Sequence, residues 1–145
     1  MTYARLPAAL LLCAAFAAPA HARHPAHAAT DTAPMAPMAQ VTELMGKALA
    51  DYPGKEAVLI QVDYPPGAVD PVHRHDAHAF VYVLEGSIVM GLEGGTPVTL
   101  GPGETFYEGP TDVHTIGRNA SATQPARFIV LLLKNKGEPI LTPIQ

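Results

Sequence analysis

The sequence predicts an all-β domain, a small barrel or sandwich, preceded by one short helix. Three observations carry that expectation. From Ala57 onward, short β-branched and aliphatic runs follow one another. Glycine and proline clusters separate them roughly every eight to twelve residues, the spacing of turns in a compact β domain. No strand–helix–strand alternation appears, which excludes a doubly wound parallel sheet.

The elements read in order as follows. Arg5 and the apolar stretch Leu6–Ala18 have the charge and length of an export signal. That stretch is shorter than the ~20 apolar residues a membrane-spanning helix needs. Ala18-Pro19-Ala20 offers a small-x-small cleavage point, with Ala20-His21-Ala22 as a shifted alternative. Residues 1–20 are therefore read as a signal peptide and the protein as periplasmic or secreted. Residues 21–40 are rich in Ala, Pro, His, Thr and Met, nearly uncharged and without period, the composition of a flexible linker. His21, His24 and His27 within it read as compositional rather than as a metal tract. Val41, Leu44, Met45, Ala48 and Leu49 then fall at helical spacing, and Pro53-Gly54 ends the segment. Strands are expected at Val58–Tyr64, Ala79–Glu85, Ser87–Leu92, Pro97–Leu100, Thr105–Glu108, Val113–Ile116 and Arg127–Leu133. The barrel domain spans 41–137, and 138–145 is a C-terminal tail.

Composition narrows the partners. The formal net charge is -4 and no basic cluster occurs, so nucleic acid is excluded as a partner. No polybasic membrane contact is present either, and no membrane association is expected once the signal is removed. Cys13, the single cysteine, lies inside the signal, so the mature chain carries neither disulfide nor thiolate chemistry.

The chemistry lies in the histidines. Outside the linker the chain has His73, His75, His78 and His114. His73 and His75 are two apart, so on an extended strand they point the same way, about 6–7 Å apart at Cα. Two such imidazoles can reach one cation at ~2.1 Å, and a third from a distant strand can close a facial set. Imidazole suits Zn, Cu, Fe and Ni, and Mn less strongly.

Gly67-x5-His73-x-His75, followed by Phe80-Val81-Tyr82-Val83-Leu84-Glu85-Gly86, resembles the first cupin motif. Gly101-Pro102-Gly103-Glu104-Thr105-Phe106-Tyr107-Glu108, leading to His114 and Asn119, resembles the second. The resemblance covers Val58 to Leu133 and is to small single-domain cupins of the cupin-2 and quercetin-dioxygenase-like kind. It implies a double-stranded β-helix (jelly-roll) barrel with one divalent transition metal in its mouth, held by His73, His75 and His114. Two departures stand out. The glutamate usual as fourth ligand would fall on Ala79 or Phe80, and the Pro-x-Gly before the last histidine is replaced by Gly109 and Thr111. A three-histidine site with an open position is the consequence. His78 could swing in to replace the glutamate, although regular alternation puts it on the face opposite Ala79. Glu108 and Tyr107 are candidate proton donors or acceptors, a water-exposed edge carboxylate being the commoner outcome. Tyr64 and Tyr82 read as barrel-wall residues, and Val81, Val83, Phe106 and Ile116 as an apolar mouth.

Two functions follow from the resemblance. One is a metal-dependent enzyme, dioxygenase-like or a lyase or isomerase, acting on a small oxygenated molecule. The other is a non-catalytic protein that binds or senses a metal or small ligand. Pairing of two copies through a sheet edge, giving a homodimer, accords with the fold.

Overall fold

The computed structural model describes residues 35–144; the signal and most of the expected linker lie outside the described residues. Ten strands follow in order: β1 (Gln40–Ala48), β2 (Lys55–Tyr64), β3 (His73–Arg74), β4 (Ala77–Glu85), β5 (Ile88–Leu92), β6 (Val98–Leu100), β7 (Thr105–Glu108), β8 (His114–Asn119), β9 (Ala126–Asn135) and β10 (Thr142–Pro143). They form two five-stranded sheets, β1-β2-β9-β4-β7 and β10-β3-β8-β5-β6, with antiparallel pairing throughout. The all-β expectation holds.

Strict alternation builds the core. Along β2, β4 and β9 every second residue is buried: Val58, Ile60, Val62 and Tyr64, then Ala77, Ala79, Val81 and Val83, then Ala126, Phe128, Val130 and Leu132. Ile88, Met90 and Leu100 meet them from the second sheet. A period of two with one face dry is what a sheet packed on a sheet requires. The β4–β5 turn depends on Gly86, whose φ is 70° and whose side chain would begin 2.4 Å from the Pro125 carbonyl oxygen.

Three expectations are corrected. The segment from Val41 to Leu49 is no helix but mostly the edge strand β1, hydrogen-bonded to β2. A bulge between Glu43 and Met45 leaves Leu44 unpaired, so the alternation slips by one and the apolar residues fall at spacings that imitate a helical face. Without β1, the backbone groups along one side of β2 would have no partners. The tail expected over 138–145 turns back instead: β10 pairs with β3, and the Ile144 amide donates to the Val72 carbonyl over 3.0 Å. The end of the expected linker also docks, with Ala39 packed on the core and the Val69 amide donating to the Pro37 carbonyl over 3.3 Å.

Candidate metal centre

His73 and His114 face each other directly across the β3–β8 ladder, so two imidazoles from distant stretches of chain are cross-strand neighbours. His75 follows β3 by one residue, and Asp76 then turns the chain into β4 with a φ of 48°, a left-handed conformation that aspartate tolerates. Glu108 ends β7 and pairs with Ala79 of β4; both side chains point inward.

These four side chains converge. His73 Nε2 stands 3.2 Å from His75 Nε2 and 3.3 Å from His114 Nδ1. Glu108 Oε2 lies 3.4 Å from His114 Nδ1 and 3.6 Å from His75 Nε2. Four donors around one ion at ~2.1 Å would stand about 3.4 Å apart in a tetrahedral shell. His73, Glu108 and His114 are no more than 3% exposed, and all four donor atoms lie within 4.8 Å of one another.

The surroundings set the protons for a cation. His73 Nδ1 donates to the Pro71 carbonyl at 2.8 Å and His75 Nδ1 to the Ile140 carbonyl at 2.5 Å. Each carbonyl holds its ring in the tautomer whose Nε2 carries a lone pair, the role that backbone partners play behind metal-bound histidines. Two lone pairs then face each other at 3.2 Å, an arrangement that repels unless a positive charge lies between them. Burial, reinforced by His73 and His75, pushes the His114 imidazole down to about 4, so it is neutral at pH 7. His75 is lowered by burial as well, its bond to Ile140 opposing. Burial pushes the Glu108 carboxyl up to about 7, with Asp112 and Asp70 adding to it. A cation in the cluster would reverse that shift and ionise Glu108. The residues present therefore fit a divalent metal ion.

Two sequence candidates lie elsewhere. His78 is exposed on the outer face of its sheet, where Nδ1 and the Tyr107 hydroxyl are 2.7 Å apart and the two rings stack. Tyr107 shares that face. Both are excluded from the cluster by the pleat that turns Ala79 and Glu108 inward. Glu108, weighed only as a proton carrier, is the carboxylate of the cluster. Ala79, one of the two positions at which the resemblance puts the fourth-ligand glutamate, pairs with Glu108 across the ladder, and Glu108 carries the carboxylate of the cluster. A lone alanine opposite a strand-end glutamate was the available signal, but reading it needs the strand register.

A cavity of about 200 Å³ opens onto the cluster. Its walls include Ile60, Val62, Val81, Met90, Phe128 and Val130, with Met38, Val41, Ile140 and Leu141 at its rim. Of the expected mouth residues Val81 lines it, whereas Val83 lies in the core and Phe106 packs against it. Tyr64 lines the cavity as a wall residue; Tyr82 is exposed on the outer face.

Comparison with known proteins agrees with this architecture. No curated protein sequence matches the chain. An uncharacterized conserved protein with a double-stranded beta-helix domain from Klebsiella pneumoniae superposes with a TM-score of 0.60 at 15% identity, over 77% of this chain and 89% of that one. The DMSP lyase DddQ from Ruegeria pomeroyi is 25% identical with a TM-score of 0.53, over 60% of this chain and 42% of the lyase. An oxalate oxidase in complex with the substrate analogue glycolate is also 25% identical, with a TM-score of 0.54, over 73% of this chain and 55% of the oxidase. The chain thus spans less than two thirds of either enzyme. The cupin domain family matches residues 60–132, half of the chain and all four residues of the cluster. On that match and on its two-sheet fold, the chain belongs to the cupin family.

Proposed function

We propose that this protein is an exported, metal-dependent enzyme acting on a small oxygenated molecule, with one divalent transition metal held by His73, His75, Glu108 and His114. The observation that carries it is the four-donor cluster, 3.2–3.6 Å between neighbouring donor atoms, with two tautomers set by backbone carbonyls. Fe, Mn, Zn, Ni and Cu all accept such a donor set. A bound ion supplies Lewis-acid polarisation and open coordination positions for substrate oxygens. The chain's own residues do the rest. His75 and His114, both lowered by burial, keep their lone pairs available, and the Pro71 carbonyl turns the His73 Nε2 lone pair to the cluster. Glu108 lowers the net charge of the centre, and the apolar walls exclude water. A cavity of about 200 Å³ falls below the ~300–1,000 Å³ of clefts for drug-sized ligands, so the substrate is compact. Likeness at 25% identity to a lyase and to an oxidase supports enzyme chemistry on small molecules without choosing the reaction. The apolar stretch behind Arg5 supports export.

The non-catalytic reading draws on the same cluster, since a fourth protein donor leaves fewer positions for substrate. Elemental analysis of protein recovered from the periplasm or medium tests the metal, and N-terminal sequencing of that protein tests export, with His21 or Arg23 as the expected start. His73→Ala should cut metal occupancy at least tenfold; unchanged occupancy would contradict the ligand assignment. Rapid exchange of the metal-bound water would favour the enzyme, and a slowly exchanging, closed ion the binder.

A further inference from the structure

Buried Tyr64 and half-buried Asp70 form a polar pair in the cavity that the metal cluster does not use. Tyr64, the last residue of β2, is 1% exposed and meets Phe128 edge-on with centroids 5.0 Å apart. Its hydroxyl donates to Asp70 Oδ2. Asp70 lies in the β2–β3 loop, its amide donating to the Gly117 carbonyl at 2.8 Å. The Tyr64 carbonyl in turn accepts from Asn119 Nδ2 at 3.3 Å, so β8 holds both members of the pair.

Gly117 lets this pair approach the cluster. A side chain on Gly117 would begin 3.0 Å from Asp70 Oδ2, 3.0 Å from His114 Cε1 and 3.2 Å from the Tyr64 hydroxyl. All three groups converge on the space that a glycine leaves. Among the described residues, no protein donor bonds the second oxygen of Asp70. The described cavity lining therefore offers, beside the metal cluster, a second polar group in this pair, with aliphatic and aromatic side chains making up most of the remaining wall.

We propose that the Tyr64–Asp70 pair is a second anchor of the site, accepting a hydrogen bond from a ligand hydroxyl, and that the ligand is a short hydroxycarboxylate. This rests on the metal-site reading above. One glutamate among three imidazole ligands leaves a divalent ion with net positive charge, which draws the carboxylate end. Asp70, already accepting from Tyr64, repels a second carboxylate and takes a donor at the other end. Tyr64 is a positioning residue: its hydroxyl holds the Asp70 carboxylate in place. The cavity volume of about 200 Å³ limits the ligand to a small molecule.

The test is calorimetric titration of the zinc-loaded full chain with 3-hydroxypropionate and with propionate, zinc content being measured in the same samples. Wild type should bind 3-hydroxypropionate at least about tenfold more tightly, the value of a hydrogen bond to a charged group. Asp70→Ala should bring that ratio close to one at wild-type zinc content. Tyr64→Phe should lower it part of the way. A zinc-loaded wild type with a ratio of one, or an Asp70→Ala protein that keeps the wild-type ratio, overturns this proposal alone. A wild type that takes up no zinc overturns the metal-site reading and this proposal with it.

Discussion

Ala79 and Glu108 are opposed across one ladder, and only the second brings a carboxylate into the cluster. Directly opposed side chains on one face of an antiparallel pair lie about 4.5–5.5 Å apart at Cβ. A carboxylate can therefore step across a ladder and still reach the same point, provided that its neighbour is small. Ala79 is fully buried beside Glu108, and a larger residue there would fill the space the carboxylate occupies. Glu108→Ala should lower metal affinity by at least an order of magnitude. Adding Ala79→Glu to that variant should restore much of it, because the second glutamate starts from the neighbouring inward position. Equilibrium competition with a chromophoric chelator measures both, and a double variant no better than Glu108→Ala would contradict the exchange.

At the scale of elements, the C-terminal segment belongs to the site. Ile140 supplies the carbonyl that orients His75, and Ile140 and Leu141 wall the cavity. The segment is anchored at its start by Lys134, which faces inward at the end of β9, bonds Glu56 Oε1 at 2.6 Å and reaches the Glu138 carbonyl. Its far end is tied down by the two-residue ladder with β3. A chain ending at Gly137 should keep its β-sheet circular dichroism, since β9 and the core are intact. It should lose about 10–100-fold in metal affinity, the usual cost of removing the partner behind a liganding histidine. Unchanged affinity would show that the Ile140 carbonyl does not matter. Nothing in Gly137–Gln145 reads as an element by itself, because β10 is too short to show a period and exists only as the partner of β3.

For the whole molecule, the apo cluster links folding to pH in two opposing ways. Glu108 goes from 4.5 unfolded to about 7 folded. Its contribution is full below 4.5 and is lost as pH rises through about 7. His114 goes from 6.5 to about 4. Its contribution is full above 6.5 and is lost as pH falls through about 4. Between about 4.5 and 6.5 the two slopes oppose each other, with the lowered His75 adding to the histidine side. In chelator, wild type should show a shallow dependence across that window. Glu108→Gln leaves the histidines uncompensated, so its unfolding free energy should fall more steeply as pH drops from 6.5 to 4. Urea titrations at a series of pH values measure this, and equal slopes for the two proteins would contradict it.

The sequence by itself determined the two-faced strands, the turns that separate them and three of the four side chains in the cluster. Those features are local: alternation in Val58–Tyr64 or Arg127–Leu133, glycine where φ is positive, and the His73-x-His75 spacing are legible without knowing what lies opposite. Only the tertiary structure decided which carboxylate completes the cluster, that Val41–Ala48 pairs as an edge strand, and that Ile140 and Leu141 line the cavity. Each depends on register between distant segments, and a slip of one residue exchanges the faces of a strand. Glu108 and Tyr107 are adjacent in the chain with opposite fates, and the pairing of Glu108 with Ala79 separates them.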